Sequence, residues 1–498
     1  MHNSCLVNEW QTLPYAGYKG PVESKRPAAA GVGVSRQLMP QSDSVRREIE
    51  AIEGAAREVK AEFTPPASPR SRVATAVRAL RHRNFQLFFA GQMISLIGTW
   101  MQTVAQSWLV YRLTGSTLLL GIVGFAGQIP VFLVAPIGGV LADRTNRHRV
   151  VIATQTASMI LAFVLAVLTL THRIQVWQIM MLAAGLGIVN AFDIPARQAF
   201  LMDMVGREDL MNAIALNSSM FNGARILGPA VAGIVVAWVG EGWCFFANAI
   251  SYIAVIAGLL MMQIKHPVNL AREATPIEHI VEGFRFVLDK TPIKAILLLL
   301  GVVSLVGTPY SVLMPVFASQ VLHGGARELG MLMGATGVGA LLGALSLATK
   351  VGVRGLGRLI ALCAGGFGAS LILFSFSRTF WLSMTFLVPV GFTMMVQMAS
   401  SNTLLQSMVP DQMRGRVIAL YSMMFMGMAP FGAFFAGAVA HRIGAPATVA
   451  IGGVACIAGA IIFARNLPNF RVQARELVLA QGMTAGSPPS EMTSGGLS

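Results

Sequence analysis

Twelve apolar runs dominate this sequence and leave few folds open to it. They cover about 85–111, 116–142, 149–171, 175–202, 209–239 and 243–264, then 294–321, 327–350, 356–377, 380–406, 415–441 and 446–465. Each is long enough to cross a hydrocarbon core as a helix, which takes about 20 residues. In lipid every backbone N–H and C=O must be satisfied internally, so runs of this length predict helices. Only 12% of the residues are charged and 54% are hydrophobic, against about 25% charged in a soluble domain. The expected fold is an all-α membrane protein, with twelve transmembrane helices in two pseudo-symmetric six-helix bundles.

The net charge of +15 would suit nucleic acid, but its placement points elsewhere. Of the 37 Lys and Arg residues, 13 fall in residues 1–83. In the later loops, 17 lie on the side predicted to be cytoplasmic and five on the other: Arg112, Arg173, Arg327, Arg378 and Arg442. Basic residues near helix ends resist translocation, so this bias sets the orientation. The expected partners are a small-molecule substrate and a bilayer with an anionic inner leaflet, not nucleic acid. The chain is expected to act as a monomer in the cytoplasmic membrane of a bacterium, with both termini inside.

Between the runs, composition marks the boundaries. Residues 1–83 are rich in Pro, Ser, Arg and Glu and predict a disordered basic cytoplasmic tail. Residues 84–264 form the first bundle and 294–467 the second. Between them, residues 265–293 place Ile277, Ile280, Phe284, Val287 and Leu288 at helical spacing, which predicts an amphipathic helix on the inner membrane surface. Residues 468–498 read as a second cytoplasmic tail. An internal repeat supports two halves. At an offset of 204 positions, Met204/Met408, Ile214/Ile418, Phe221/Phe425, Gly228/Gly432 and Gly233/Gly437 agree, among others. The same offset sets Gly139 against Gly343 but Asp143 against Leu347, so the halves share architecture without sharing chemistry.

Several chemistries find no support. Cys5, Cys244, Cys363 and Cys456 are scattered without a C-x-x-C pair, and the histidines occur singly. There is no G-x-x-x-x-G-K-S/T phosphate loop and no G-x-S-x-G elbow in a plausible context. No enzyme, resident cofactor or metal is expected, which leaves an ion gradient to drive any transport.

One polar interruption stands out. Gly138–Arg149 joins the second and third runs and carries Arg144, Arg147, Arg149 and Asp143. Gly138 and Gly139 would let helices approach closely, and Asn146 would tolerate the left-handed backbone of a tight turn. The pattern Gly139-x-x-Ala142-Asp143-Arg144-x-Asn146-Arg147-His148-Arg149 resembles the signature loop between helices 2 and 3 of the major facilitator superfamily, G-x-L-A-D-R-x-G-R-R/K. Asn146 replaces its Gly and His148 one basic residue. Asp193-Ile194-Pro195-Ala196-Arg197-Gln198-Ala199-Phe200 and Pro410-Asp411-x-x-Arg414-Gly415-Arg416-Val417 are similar to the enterobactin-exporter-like and macrolide-efflux-like branch. The resemblance covers about residues 78–467. It implies a proton-driven exporter of a siderophore or drug-like molecule, with Gly139, Asp143, Arg144, Arg147 and Arg149 as a conformational gate.

Further polar residues sit inside the apolar runs. Gln92, Ser95, Thr99, Gln102, Thr103 and Gln106 recur every three or four residues, on one face of the first helix. They would wall a central path with Asn190, Asn222 and Gln397, or hydrogen-bond neighbouring helices. Asp193 and Arg197 stand i, i+4, and Arg225 sits mid-run; charges at this depth are paired or functional. Asp193 could pair with Arg197, Arg225, Arg144 or Arg147, as a structural ion pair or a coupling site; Asp203 is the other candidate for coupling. Gly228-Pro229 can bend the fifth helix, and the surrounding Gly223–Gly233 stretch partly resembles the Gly-Pro motif of proton-coupled antiporters. Met394, Met395, Met398, Met423, Met424, Met426 and Met428 suit adaptable apolar contact or simple packing. Uptake, lipid translocation, or a non-transporting sensor using the long tail are the alternative functions.

Overall fold

A computed structural model describes residues 78–263, 276–348 and 355–484, and among them there is no strand. The helices are α1 (Arg83–Thr114), α2 (Thr117–Arg144), α3 (Arg147–Leu170), α4 (Val176–Val239) and α5 (Glu241–Leu260), then α6 (Pro276–Asp289) and α7 (Thr291–Val302). They continue with α8 (Ala326–Ala348), α9 (Leu356–Phe376), α10 (Phe380–Met408), α11 (Asp411–Met426), α12 (Ala429–Ile443) and α13 (Ala445–Thr484).

Local chemistry sets the helix ends. α1 stops at Gly115, whose φ of 60° is left-handed backbone that favours glycine, and its N–H closes on the Tyr111 carbonyl. α2 starts two residues on, with the Ser116 hydroxyl accepting from the Leu119 N–H. Asn146 does not supply left-handed backbone, as its sequence position suggests. Its φ is −69°, and its side chain instead caps α3 by accepting from the Arg149 N–H at 3.3 Å.

Ten helical segments among the described residues are long and apolar enough to cross a membrane, with Thr291–Val321 and Asp411–Ile443 each taken as one. The fourth and fifth runs are continuous in the 64-residue α4, which turns at Gly206, where φ is 73°, into two arms of membrane length. The 32-residue α1 falls outside the ten because its polar row lowers its mean hydropathy. The seventh run is not one regular helix. After α7 it continues as short π and 3-10 turns to Val321, where Pro309 and Pro315 lack the N–H of a regular ladder. The eleventh run divides at Gly427–Met428 into α11 and α12.

Helices α1 to α5 pack as one bundle and α7 to α13 as its pseudo-symmetric partner. Two seams join them: α2 runs along α12, and the second arm of α4 runs along α8. Phe85, Phe88 and Phe200 fill the interior of the first bundle, and Phe317, Phe367 and Phe374 that of the second. Helix α6 lies against α11 and carries an ion pair from Glu282 to Arg416.

Residues 1–77, most of the predicted basic tail, lie outside the described residues, as do 264–275 of the linker and 485–498. Residues 78–83 are not free chain. Arg78 Nε lies 3.1 Å from Asp209 Oδ1, and His82 Nε2 lies 2.8 Å from Asp209 Oδ2. At the other end, α13 continues as helix through Thr484.

Candidate transport path and gate

The two seams run from one end of the molecule toward its middle, the α2 seam reaching Phe132 beside Gly427. A Cβ on Gly437 of α12 would lie 2.8 Å from the Gly121 Cα of α2, and the Thr117 hydroxyl donates to the Gly437 carbonyl at 3.1 Å. Phe125 and Phe132 of α2 pack edge-on to Phe431 of α12, with ring centroids 6.0 Å apart in each case. On the other seam, a Cβ on Gly330 of α8 would lie 2.8 Å from the Gly233 Cα of α4. Contact along this seam reaches Gly337, whose Cβ would lie 3.2 Å from the Arg225 carbonyl oxygen. Toward the end carrying the 138–149 loop, side chains at Gly139, Gly223 or Gly415 would meet nothing within 4 Å. The closest backbone approaches between the bundles thus lie toward the Thr117/Gly437 end and along α4 and α8 to Arg225.

At the loop end the gate residues separate into distinct environments. Arg147 Nη1 reaches Asp203 Oδ1 of α4 at 3.1 Å, and its Nε donates to the Ala142 carbonyl at 3.3 Å. Arg144 and Arg149 are exposed. The side chain of Asp143 lies outside the described residues. Of the glycine pair, Gly138 makes the close approach, with any Cβ colliding with the Ala191 carbonyl, while Gly139 faces open space. His148 stacks on Phe200, and its Nε2 lies 2.8 Å from the Leu259 carbonyl oxygen. Sequence reasoning named neither Gly138 as the contact glycine nor Asp203 as the partner of Arg147. The i, i+56 separation gave no local signal for that pair.

Asp193 is 4% exposed and fully engaged within its own bundle. Thr154 Oγ1 and Gln155 Nε2 of α3 donate to Oδ1 at 2.8 and 2.9 Å, and Arg197 Nε lies 3.3 Å from Oδ2. Of the partners open to it by sequence, Asp193 therefore takes Arg197. It does not take Arg225, which has no ion pair among the described residues. At the repeat offset, Asp193 and Arg197 correspond to Gln397 and Ser401. Both are buried in α10, with no hydrogen-bond partner for either Gln397 amide atom or for the Ser401 hydroxyl.

The polar row on α1 divides. Gln92, Ser95 and Gln102 are buried. Gln102 Oε1 accepts from Asn248 Nδ2 of α5 at 2.7 Å, and Thr99 Oγ1 lies 3.5 Å from the Tyr252 hydroxyl. These residues join helices inside the first bundle. Thr103 is exposed and Gln106 half-buried, as a path wall would require. Asn190 and Asn222 are half-buried, and Asn222 donates to the Ser218 carbonyl. Gln397 does not line open space; it is 1% exposed. The spacing of polar residues fixes the shared face but not which neighbour that face meets.

Gly228 allows α4 to touch α1: a Cβ there would collide with the Trp100 Cβ and come within 3.0 Å of the Ile97 carbonyl. One turn earlier stands Arg225, whose carbonyl oxygen would lie 3.2 Å from a Cβ on Gly337 of α8. Trp100 and Phe221 meet edge-on, with centroids 5.7 Å apart.

Relatives with known roles share this architecture. The staphyloferrin A transporter of Staphylococcus aureus is 26% identical over 381 residues, 76% of this chain and 94% of the relative. The multidrug efflux pump Tap of Mycolicibacterium fortuitum is 27% identical over 364 residues, 70% and 88% of the two chains. The enterobactin exporter EntS of Shigella boydii is 26% identical over 341 residues, 68% and 81%. Two solved structures share the fold. A bacterial homologue of the human lysosomal transporter Spinster, inward-facing and unoccupied, superimposes with a TM-score of 0.56 at 14% identity, over 84% of this chain and 99% of its own. The nucleoside transporter NupG does so with a TM-score of 0.60 at 14% identity, over 77% and 98%. The model of the transmembrane secretion effector family matches residues 74–482. The chain belongs to that family, a branch of the major facilitator superfamily, and is a multi-pass membrane transporter of a small molecule.

Proposed function

We propose that this transporter is a proton-driven exporter of a small amphipathic molecule, crossing the cytoplasmic membrane twelve times with both termini inside and working by alternating access. The observation that carries the reading is the one-sided closure. Two glycine-lined seams bring the bundles into backbone contact at the Thr117/Gly437 end, while Gly223 and Gly415 toward the loop end face open space. Bundles in close contact at one end only can rock, because a small rotation about the seams closes one mouth and opens the other. The basic loop makes the open mouth the cytoplasmic one, which is where an exporter loads. The relatives named as an efflux pump and an exporter support the outward direction.

Coupling is assigned to Asp193. It is a carboxylate deep in the first bundle, held by two donors from α3 and one cation. Protonating it removes the charge that Arg197 compensates, which gives a proton a way to change helix packing. The test uses energised inverted vesicles carrying the full chain. Accumulation of substrate that collapses with the proton gradient supports export. Uptake into right-side-out vesicles under the same gradient overturns it.

A further inference from the structure

We infer that the loop-end arm of α10, residues 393–408, moves within the second bundle during the transport cycle. It hinges at Pro389, and the buried polar side chains of Gln397, Ser400 and Ser401 weigh against its position in this conformation. The inference goes beyond the rocking of two rigid halves, and it needs neither a direction of transport nor a coupling ion.

Around its middle α10 is clamped to α8. A Cβ on Gly339 would collide with the Val388 carbonyl and one on Gly391 with the Thr336 carbonyl, while one on Gly343 would lie 2.8 Å from the Phe392 carbonyl oxygen. Close backbone packing of this kind fixes one helix on another. Pro389 sits inside the clamp. It lacks the N–H that would bond the Thr385 carbonyl, so the helix is weaker there and can bend. One turn on, the Thr393 hydroxyl donates to the Pro389 carbonyl at 2.6 Å, a back-bond that favours bending. Beyond Val396 no described glycine of α8 approaches α10. The arm instead takes a hydrogen bond from α11, where the Tyr421 hydroxyl donates to the Met398 carbonyl at 3.0 Å.

The arm carries a cluster of polar atoms without partners. Gln397, Ser400 and Ser401 stand i, i+3 and i+4 and are 1%, 0% and 1% exposed. Neither Gln397 amide atom and neither hydroxyl has a hydrogen-bond partner, and no water-sized space touches them. No other described helix holds more than one such atom. At the repeat offset in the first bundle, Asp193 and Arg197 pair with each other, and Thr154 and Gln155 donate to Asp193. The second bundle sets polar groups at the same places and leaves them unsatisfied. A buried donor or acceptor without a partner loses its hydration and gains nothing in exchange. Such groups persist where another conformation relieves them. The hinge supplies that conformation. A swing about Pro389 shifts the arm against α8 and α9, the helices packed along it, and gives these atoms water or partners.

The test needs no substrate and uses the purified full chain in lipid nanodiscs. Gln397→Met keeps the length and helix propensity of the side chain but removes two unpaired atoms, and it should raise the melting temperature by about 2 °C or more. Ser400→Ala and Ser401→Ala should also raise it. Ser407→Ala is their control, since that hydroxyl on the same arm already donates to the Leu404 carbonyl at 2.7 Å and shares any gain in helix propensity. Spin labels on Thr403→Cys and Ile462→Cys, in a variant lacking Cys5, then read the arm against α13 by paramagnetic resonance. Both sites are exposed and both lie in the second bundle, so rigid rocking leaves their separation unchanged. Two separations are expected for the labelled parent, narrowing to one in Gln397→Met. A melting temperature that falls in Gln397→Met, or that rises no further in Ser400→Ala and Ser401→Ala than in Ser407→Ala, would show that these atoms carry no penalty and would overturn the inference. A single separation shared by the parent and Gln397→Met would show a rigid second bundle and overturn it too, whichever way the transporter pumps.

Discussion

Gly437 and Gly121 meet so closely that a Cβ on the first would lie 2.8 Å from the Cα of the second. The repeat partner of Gly437 is Gly233, and a Cβ on Gly330 would lie at the same 2.8 Å from the Gly233 Cα. The two seams are thus built alike, each pressing backbone against backbone through glycine, as close helix approach in lipid requires. If the seams open during transport, locking one must stop the cycle. Cysteines at Gly124 and Ala433 on the same seam, where a Cβ on Gly124 would lie 3.2 Å from the Ala433 Cβ, should crosslink in a variant lacking Cys5 and abolish transport, with recovery on reduction. The remaining thiols, Cys244, Cys363 and Cys456, are buried. The vesicle export assay, run before and after reductant, reads the result; unimpaired transport by the crosslinked protein would refute rocking about this seam.

The two glycines of the signature loop should behave differently. A methyl at Gly138 runs into the Ala191 carbonyl, whereas one at Gly139 meets nothing within 4 Å. Gly138→Ala should cost about 1–3 kcal/mol, the scale of overpacking against a neighbouring backbone. Gly139→Ala should leave thermal stability unchanged. If it nevertheless slows transport, the contact it disturbs forms only when the loop end closes. Melting of the detergent-purified variants, compared with their export rates, separates the two effects.

Hydropathy and the repeat made the fold legible, because membrane helices must satisfy their own backbones and so announce themselves as long apolar runs. What they could not give was orientation about each helix axis. The polar row on α1 was visible as a face, yet Gln102 spends its carbonyl on Asn248 while Thr103, one residue on, is exposed. Gln397 was readable as a polar residue in a span but not as one enclosed within α10's own bundle. The turn at Gly206 and the irregular stretch after α7 also escaped, since apolar composition continues straight through both. The Asp193–Arg197 pair was readable because its spacing is local; Arg147–Asp203 was not, because only folding brings it together.

Arg147 and Asp203 are 16% and 12% exposed as side chains. Removing one partner leaves the other charge partly desolvated, so Asp203→Asn should destabilise by about 1–3 kcal/mol, below the ~3–5 kcal/mol of a fully buried pair. The exchange Arg147→Asp with Asp203→Arg should recover part of that loss. A double-mutant cycle on melting temperature measures the coupling. Additive effects would show that the pair contributes no interaction of its own.

Asp193→Asn tests coupling and structure together. The amide keeps an acceptor for Thr154 and Gln155 but removes the charge facing Arg197, which is 22% exposed as a side chain. A purely structural pair predicts a loss of stability of about 1–3 kcal/mol. It also predicts a lower transport rate with unchanged dependence on the proton gradient. A coupling carboxylate predicts something different: the variant should still exchange substrate down its own concentration gradient, yet fail to accumulate it when a proton gradient is imposed. Arg197→Gln offers the control, since it disturbs the same ion pair without removing the proton carrier. If Arg197→Gln retains gradient-driven accumulation and Asp193→Asn loses it, the carboxylate carries the proton. If both lose stability and rate in parallel while keeping accumulation, coupling lies elsewhere, and Asp203 becomes the group to examine.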